Sequence, residues 1–154
     1  QIIDLLQAVY VSFDMSTIEN FEKGKLYKRL SLHQTYGGRR QHGISNCSNF
    51  PIIFIFTVSK NEQHNFENTW DEKGYFWYSG EGKVGDMKFT GGNKSILNHK
   101  KDGKKLFLFS KSKTSGFWTF IDECTLEDYR HYDVKDKNEN IRKGIQFKLK
   151  LISK

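Results

Sequence analysis

A short segment of the chain combines aromatic rings, polar side chains and glycines. Between residues 66 and 80 lie six aromatic rings, with an amide, a carboxylate and a hydroxyl among them: Phe66, Asn68, Trp70, Asp71, Tyr75, Phe76, Trp77, Tyr78 and Ser79. Flat rings stack on a planar ligand and a few polar atoms read its edge, which is the set of groups that a nucleobase rotated out of a duplex requires. Strand alternation puts Phe76 and Tyr78 on one face and their neighbours on the other, so one face can meet a ligand. Packing of the same rings into the core is the competing interpretation.

A second segment, residues 36–45, sets two arginines between glycines. Its sequence is Tyr-Gly-Gly-Arg-Arg-Gln-His-Gly-Ile-Ser. Glycine permits close approach of a backbone, and arginine contacts phosphate oxygens, so the segment suits a nucleic-acid backbone. A solvated turn is the alternative. The chain carries 25 Lys and Arg against 18 Asp and Glu, a net charge of +7, and this balance favours a polyanionic partner.

Motifs that would indicate catalysis or metal binding are missing from the sequence. There is no HExxH, no Gly-x-Ser-x-Gly and no phosphate-binding GxxxxGK[ST] motif. The carboxylates at positions 71, 72, 81 and 86 lie near lysines, a pattern typical of solvated groups. The two cysteines, Cys47 and Cys124, form no CxxC pair, and we expect free thiols in a reducing compartment. We therefore predict a binding module with no catalytic residue, metal or cofactor.

Length and composition favour one α+β domain. The chain has 154 residues, of which 15% are aromatic, and large rings can build a core in a chain with 36% hydrophobic residues. No apolar run approaches the length of a membrane span, and the N-terminus lacks a convincing signal peptide. Residues 1–20 are predicted to be a helix or lead-in segment, with the main domain at 21–154. The predicted elements are strands at 52–58, 74–80, 106–109, 117–126, 129–134 and 145–151, and helices at 31–36 and 93–100, the latter capped by Asn93.

The order of these segments resembles a known family. After the Tyr-Gly-Gly-Arg-Arg-Gln-His-Gly-Ile-Ser segment come an apolar strand, the run Tyr78-Ser79-Gly80-Glu81-Gly82, and then Gly92-Asn93-Lys94. Together they resemble the SRA (YDG) domains of modification-dependent restriction endonucleases, often joined to an HNH nuclease, over roughly residues 22–152. The resemblance implies an SRA/PUA-like fold: a curved, partly closed, mostly antiparallel β-barrel with short flanking helices. It also implies a prokaryotic, cytoplasmic protein and a nuclease domain in the same or a partner chain.

The family likeness assigns candidate site residues. Phe66 and Tyr78 match the rings that sandwich an extruded base, Ser79 matches the hydroxyl that contacts it, and either Asn68 or Asp71 matches the carboxylate that reads the cytosine edge. The predicted base pocket comprises Phe66, Asn68, Trp70, Asp71, Tyr78 and Ser79. The predicted DNA contacts are Arg39, Arg40, Gln41, His42, Ser45, Lys83, Asn93 and Lys94, with Arg40 or Gln41 filling the vacated stack.

Three functions follow as hypotheses. The first is a reader that flips 5-methyl- or 5-hydroxymethylcytosine from duplex DNA and targets a restriction endonuclease. The second is a PUA-like reader of RNA or N6-methyladenine, which an amide at Asn68 would favour because it donates as well as accepts. The third is a nuclease in its own right, for which the sequence offers no defensible HNH or PD-(D/E)xK pattern.

Overall fold

An eight-stranded sheet carries most of the regular structure in the computed structural model, which describes residues 20–58 and 68–153. Strands β1, β2, β4 and β5 have at most four residues each, and β7 and β8 form one long hairpin. The elements in chain order are β1 (Leu26–Lys28), α1 (Arg29–Tyr36), β2 (Ile44–Cys47), β3 (Ile52–Thr57), β4 (Thr69–Trp70), β5 (Phe76–Ser79), α2 (Gly91–Leu97), β6 (Lys105–Lys111), β7 (Phe117–Lys135) and β8 (Ile141–Leu151).

The sheet is mostly antiparallel and open. Its strand order is β2-β3-β6-β7-β8-β5-β4, with β1 paired to β7 off this path. Strand β3 pairs with β6 in parallel, and the other pairs are antiparallel. The expected antiparallel α+β architecture is thus present, but the partly closed barrel is not confirmed. The edge strands β2 and β4 have four and two residues, so neither offers a long row of backbone groups across which a barrel could close.

Two hydrophobic cores lie on opposite faces of the central strands. Ile53 and Ile55 belong to a mainly aliphatic core, whereas Phe54 and Phe56 belong to a second core rich in phenylalanine. Strand β6 alternates in the same way. Because the parallel pair β3–β6 is buried on both faces, its sequence reads as a continuous apolar run, as predicted for residues 52–58.

The long hairpin joins segments that the sequence presents as separate strands. Residues 117–126 and 129–134 form one strand, β7, in which the pairing register shifts between Leu126 and Asp128. In β8 the alternation predicted for residues 145–151 is confirmed for the apolar positions, all buried. Gln146 departs from the predicted polar face. It is 1% exposed, and its Oε1 accepts a hydrogen bond from Arg130 Nε at 2.9 Å.

Both predicted short helices occur, with shifted ends. Helix α1 stops where Gly37 takes a φ of 80° and donates its N–H to the His33 carbonyl. Helix α2 follows Thr90, so Asn93 lies within the helix and the predicted cap at Asn93 is wrong. The helix predicted for residues 1–20 lies outside the described residues, apart from its last position. Neither described helix has the length and apolar character that crossing a membrane requires.

Candidate functional site

A cavity of about 760 Å³ opens where β5 ends and the tip of the β7–β8 hairpin approaches. This volume is typical of pockets that enclose small ligands. Its walls come from sequence segments that are far apart. The lining residues are Gln41, His42, Gly43, Ile44, Phe56, Asn68, Tyr78, Ser79, Gly80, Glu81, Gly82, Lys83, Thr90, Gly91, Lys135, Asp136, Lys137 and Arg142.

Tyr78 forms one wall of the cavity. Strand β5 pairs it with Phe147 of β8, and its side chain is 5% exposed. The hydroxyl donates to the Phe56 carbonyl at 3.2 Å, and burial raises the pKa of Tyr78, so the ring stays a neutral phenol. A Cβ at Gly43 would lie 2.5 Å from this hydroxyl, which explains why a glycine adjoins the wall.

Asn68 and Ser79 supply polar atoms beside this ring. Asn68 Oδ1 accepts the Ser79 N–H at 2.7 Å, and Asn68 Nδ2 donates to Thr57 Oγ1 at 3.0 Å. The Ser79 hydroxyl lies 2.8 Å from the hydroxyl of Tyr132 on β7. The amide thus ties together the ends of β3 and β5 and keeps one N–H and one lone pair for further hydrogen bonds.

Glu81 brings a carboxylate to the cavity, although its position near lysines in the sequence is typical of a solvated group. Its Oε1 accepts the Gly92 N–H at 2.8 Å. Asn93, which is 1% exposed, accepts the Glu81 N–H and donates to the carbonyls of Glu81 and Lys88. The Gly-Asn pair of the motif therefore acts from inside the protein, where it holds the backbone and carboxylate of Glu81 in place.

Arg29, another residue absent from the sequence-based set, holds the glycine-arginine segment. Its guanidinium donates to the carbonyls of Arg39 and His42 and lies 3.8 Å from the centre of the Phe56 ring. Burial lowers the pKa of Arg29 to about 10, which leaves it charged at neutral pH. Its Nε donates to His33 Nε2 at 3.1 Å, and the other ring nitrogen of this histidine lies 2.8 Å from the Gly37 carbonyl. Because Nε2 accepts, the imidazole is neutral with its proton on Nδ1, and burial lowers its pKa accordingly.

The structure brings together about half of the predicted site residues. The cavity is lined by three of the predicted base-pocket residues and three of the predicted DNA contacts: Asn68, Tyr78, Ser79, Gln41, His42 and Lys83. Arg39, Arg40 and Lys94 are exposed but do not line it. Phe66, the second predicted ring, lies outside the described residues, so the facing wall stays a prediction.

Four predicted residues have other roles in the described structure. Trp70 is 45% exposed and packs on Phe76. Asp71 accepts the N–H groups of residues 73 and 75 and the indole N–H of Trp77, and it does not line the cavity. Ser45 is fully buried and accepts the N–H of residue 39, and Asn93 is buried as described above. These contacts position loops, and no local sequence pattern distinguishes such a role from ligand contact. Within the described segments, no group of three or more side chains could hold a metal ion.

Comparison with solved structures shows what the fold resembles. The sulfur binding domain and SRA domain of ScoMcrA, complexed with phosphorothioated DNA, gives a TM-score of 0.68 at 22% identity over 86% of this chain and 40% of that chain. The SRA domain of SUVH5 with hemimethylated CG DNA gives 0.64 at 16% identity over 90% and 93%. The modification-dependent restriction endonuclease AspBHI gives 0.58 at 15% identity over 80% and 67%.

The chain thus spans less than half of the ScoMcrA chain that it matches. A search of curated protein sequences finds no match. The family model that describes ScoMcrA-like SRA domains matches residues 23–154, most of the chain. By this match, this chain belongs to the ScoMcrA-like SRA domain family.

Proposed function

We propose that this chain is the DNA-reading module of a modification-dependent restriction system in a prokaryotic cell. It extrudes a modified cytosine, 5-methyl- or 5-hydroxymethylcytosine, from duplex DNA and holds it in the cavity beside Tyr78. Cleavage belongs to a nuclease domain in the same or a partner chain. The observation that carries the proposal is the cavity of about 760 Å³, in which Tyr78, Ser79 and Asn68 lie together beside cationic groups.

The energetics of this proposal balance. Extruding a base costs a few kcal/mol. Stacking on a ring returns about 1–3 kcal/mol, and phosphate contacts by a chain of net charge +7 supply much of the rest. Burying one methyl group adds only about 0.8 kcal/mol, so we expect about a fourfold preference for a methylated over an unmethylated cytosine from burial alone.

The similar structures support recognition of a modified base over recognition of a modified phosphate. The SUVH5 structures carry methylated and hydroxymethylated DNA. The ScoMcrA structure carries phosphorothioated DNA, and its description names a sulfur binding domain separately from the SRA domain. Since the present chain matches the SRA family model, we assign to it the base modification and make the phosphorothioate a control.

An amide at position 68 favours adenine or RNA recognition in the sequence, because adenine is read by an amide that donates and accepts at once. In Asn68 the oxygen accepts from Ser79 and the nitrogen donates to Thr57, which fixes the amide and leaves one N–H and one lone pair. We therefore keep N6-methyladenine and RNA as outcomes of the test.

The test is a competition binding assay with one duplex that contains cytosine, 5-methylcytosine or 5-hydroxymethylcytosine at a single position. A phosphorothioate duplex and a single-stranded RNA with N6-methyladenine complete the set. We expect tightest binding to one of the modified-cytosine duplexes. Equal affinity for the three cytosine duplexes, or preference for the RNA, would refute the proposal.

Variants assign the effect to the cavity. Tyr78→Phe keeps the ring and should keep the preference, whereas Tyr78→Leu removes the flat face and should weaken binding of the modified duplex by about 5–150-fold. Ser79→Ala should reduce the preference, and Ser115→Ala, at an exposed turn outside the cavity, is its matched control. Thermal unfolding of each variant shows that the fold is intact.

A further inference from the structure

Three lysines surround the mouth of the cavity. Lys83 follows β5, and Lys135 and Lys137 lie at the tip of the β7–β8 hairpin, more than 50 residues further along the chain. All three are exposed. Only Lys83 belongs to the set predicted from sequence, so the cationic rim arises mainly from the packing of the hairpin tip against the loop after β5.

Hydrogen bonds donated by backbone amides hold the loop after β5 and the tip of the β7–β8 hairpin together. The Lys137 N–H donates to the Lys83 carbonyl at 2.8 Å, and the Gly85 N–H donates to Asp136 Oδ2 at 3.0 Å. Asp136 Oδ1 also accepts the N–H groups of Asn138 and residue 140. These amides, above all that of Gly85, lower the pKa of Asp136, so the carboxylate that shapes the tip stays charged.

Arg142 fastens the same two segments from the inside. It is 7% exposed, and its two terminal nitrogens donate to the carbonyls of Gly85 at 2.7 Å and Gly82 at 3.0 Å. Among buried side chains in the described residues, its Nε is the polar atom without a hydrogen-bond partner. We refer to residues 82–86 and 135–142 together as the braced arm.

The outer side of the braced arm is uncovered. Val84 at its apex is 61% exposed. Lys135 forms an ion pair with Glu139 at 3.4 Å in which both side chains are more than half exposed, and such surface pairs contribute little to stability. Lys135 can therefore leave this ion pair for a DNA phosphate with little loss of stability.

The exposed charges of the cavity lining are cationic. The buried part of the lining holds both signs, with Asp136 and Arg142 together, whereas Lys83, Lys135 and Lys137 are exposed. A phosphate at the opening is therefore attracted by the three lysines. A neutral base can enter while its flanking phosphates stay beside them.

We infer that the braced arm binds the DNA backbone next to the extruded nucleotide, with Lys83, Lys135 and Lys137 on phosphates. This inference rests on the proposed function, and it adds a contact surface on the hairpin tip to the exposed loop around Arg39 and Arg40. Because the hydrogen bonds preorganise the backbone of the arm, DNA binding has to order only the lysine side chains.

The experiment measures the salt dependence of duplex binding by a variant with Lys83, Lys135 and Lys137 all changed to Gln. The slope of log K against log salt is negative, and each lost phosphate contact lowers its magnitude by about 0.9. We therefore expect a magnitude smaller by about 2–3, together with weaker binding. Phosphate contacts do not sense the base, so modified and unmodified duplexes should lose the same factor. The control changes exposed Lys100, Lys101 and Lys113 to Gln, which lowers the net charge equally, from +7 to +4.

The possible results separate the two proposals. A large slope change in the arm variant with less than about 1 in the control supports the inference. Equal slope changes in both variants, or none in the arm variant, overturn it while leaving the proposed function intact. If wild-type protein lacks preference for modified cytosine, the proposed function fails independently of the slopes.

Discussion

Replacing Gly43 by alanine tests the packing of the cavity wall. The new methyl group would lie 2.5 Å from the Tyr78 hydroxyl, well inside van der Waals contact, and 3.4 Å from the Phe56 carbonyl oxygen. Tyr78 is buried and its hydroxyl is bonded to that same carbonyl, so the ring cannot move without losing the bond. Overpacking of this kind costs about 1–3 kcal/mol of unfolding free energy.

A double-mutant cycle isolates the clash. In Tyr78→Phe the hydroxyl is absent, and the next contacts of a methyl at Gly43 are the Phe56 carbonyl at 3.4 Å and the ring carbon of residue 78 at 3.8 Å. Both are ordinary distances, so Gly43→Ala should change stability by less than about 1 kcal/mol in this background, with a gain from reduced unfolded-state entropy. The expected coupling between the two sites is therefore about 1–3 kcal/mol.

Urea unfolding followed by tryptophan fluorescence gives the four free energies, and duplex binding gives the functional readout. Under the proposed function, Gly43→Ala alone should also weaken binding of the modified duplex, because it shifts the Tyr78 ring on which we propose that the base stacks. Equal costs of Gly43→Ala in the Tyr and Phe backgrounds would refute the assigned contact. If Gly43→Ala weakened duplex binding without lowering the free energy of unfolding, its effect on binding would not come from a clash with Tyr78.

Three further predictions follow from buried polar groups. Burial is the main cause that lowers the pKa values of His33 and His99 below 6.5. The unfolded chain therefore binds more protons than the folded chain, and the free energy of unfolding should fall as the pH drops from 7 towards 5. An NMR titration that shows either pKa above 6.5 would contradict this. Burial raises the pKa of the Cys47 thiol to about 12 and raises that of Cys124 further, and both thiols are free; neither should react with a disulfide reagent at pH 8 until urea unfolds the chain, and rapid native labelling would show that the burial is wrong. Asn93→Ala leaves the backbone groups of residues 81 and 88 unpaired and should cost at least about 2 kcal/mol in urea unfolding, so an unchanged midpoint would remove its supporting role.

Several elements follow directly from local patterns. The apolar run at residues 52–57 predicts β3, because a strand buried on both faces is apolar at every position. The alternation at 145–151 predicts the second half of β8, because a strand buried on one face is apolar at every second position. The end of α1 is marked by Gly37, whose positive φ few other residues adopt. Cys47 and Cys124 are free and buried, as expected for two thiols in a reducing compartment.

Some residues of the candidate site can be identified from the sequence, and others cannot. The motif run at residues 78–82 contains Tyr78 and Ser79, which line the cavity. Asn93 belongs to the same motif set, yet it is buried and serves the backbone of Glu81. A residue type that hydrogen-bonds a ligand also hydrogen-bonds a loop, so the type alone does not reveal which partner it has.

The apolar strands, the basic charge and the family can be inferred from the amino-acid sequence, because they depend on residue types, on local periods and on the order of motifs along the chain. The short strands β1, β2 and β4 and the set of groups that surround the cavity depend on the tertiary structure. Arg142 fastens a loop nearly 60 positions away, and Gly43 must be small because Tyr78 lies against it. The pairing of β5 with β8 and the long hairpin register bring such partners together, and those distances through space are set by packing across the sheet and not by any local period.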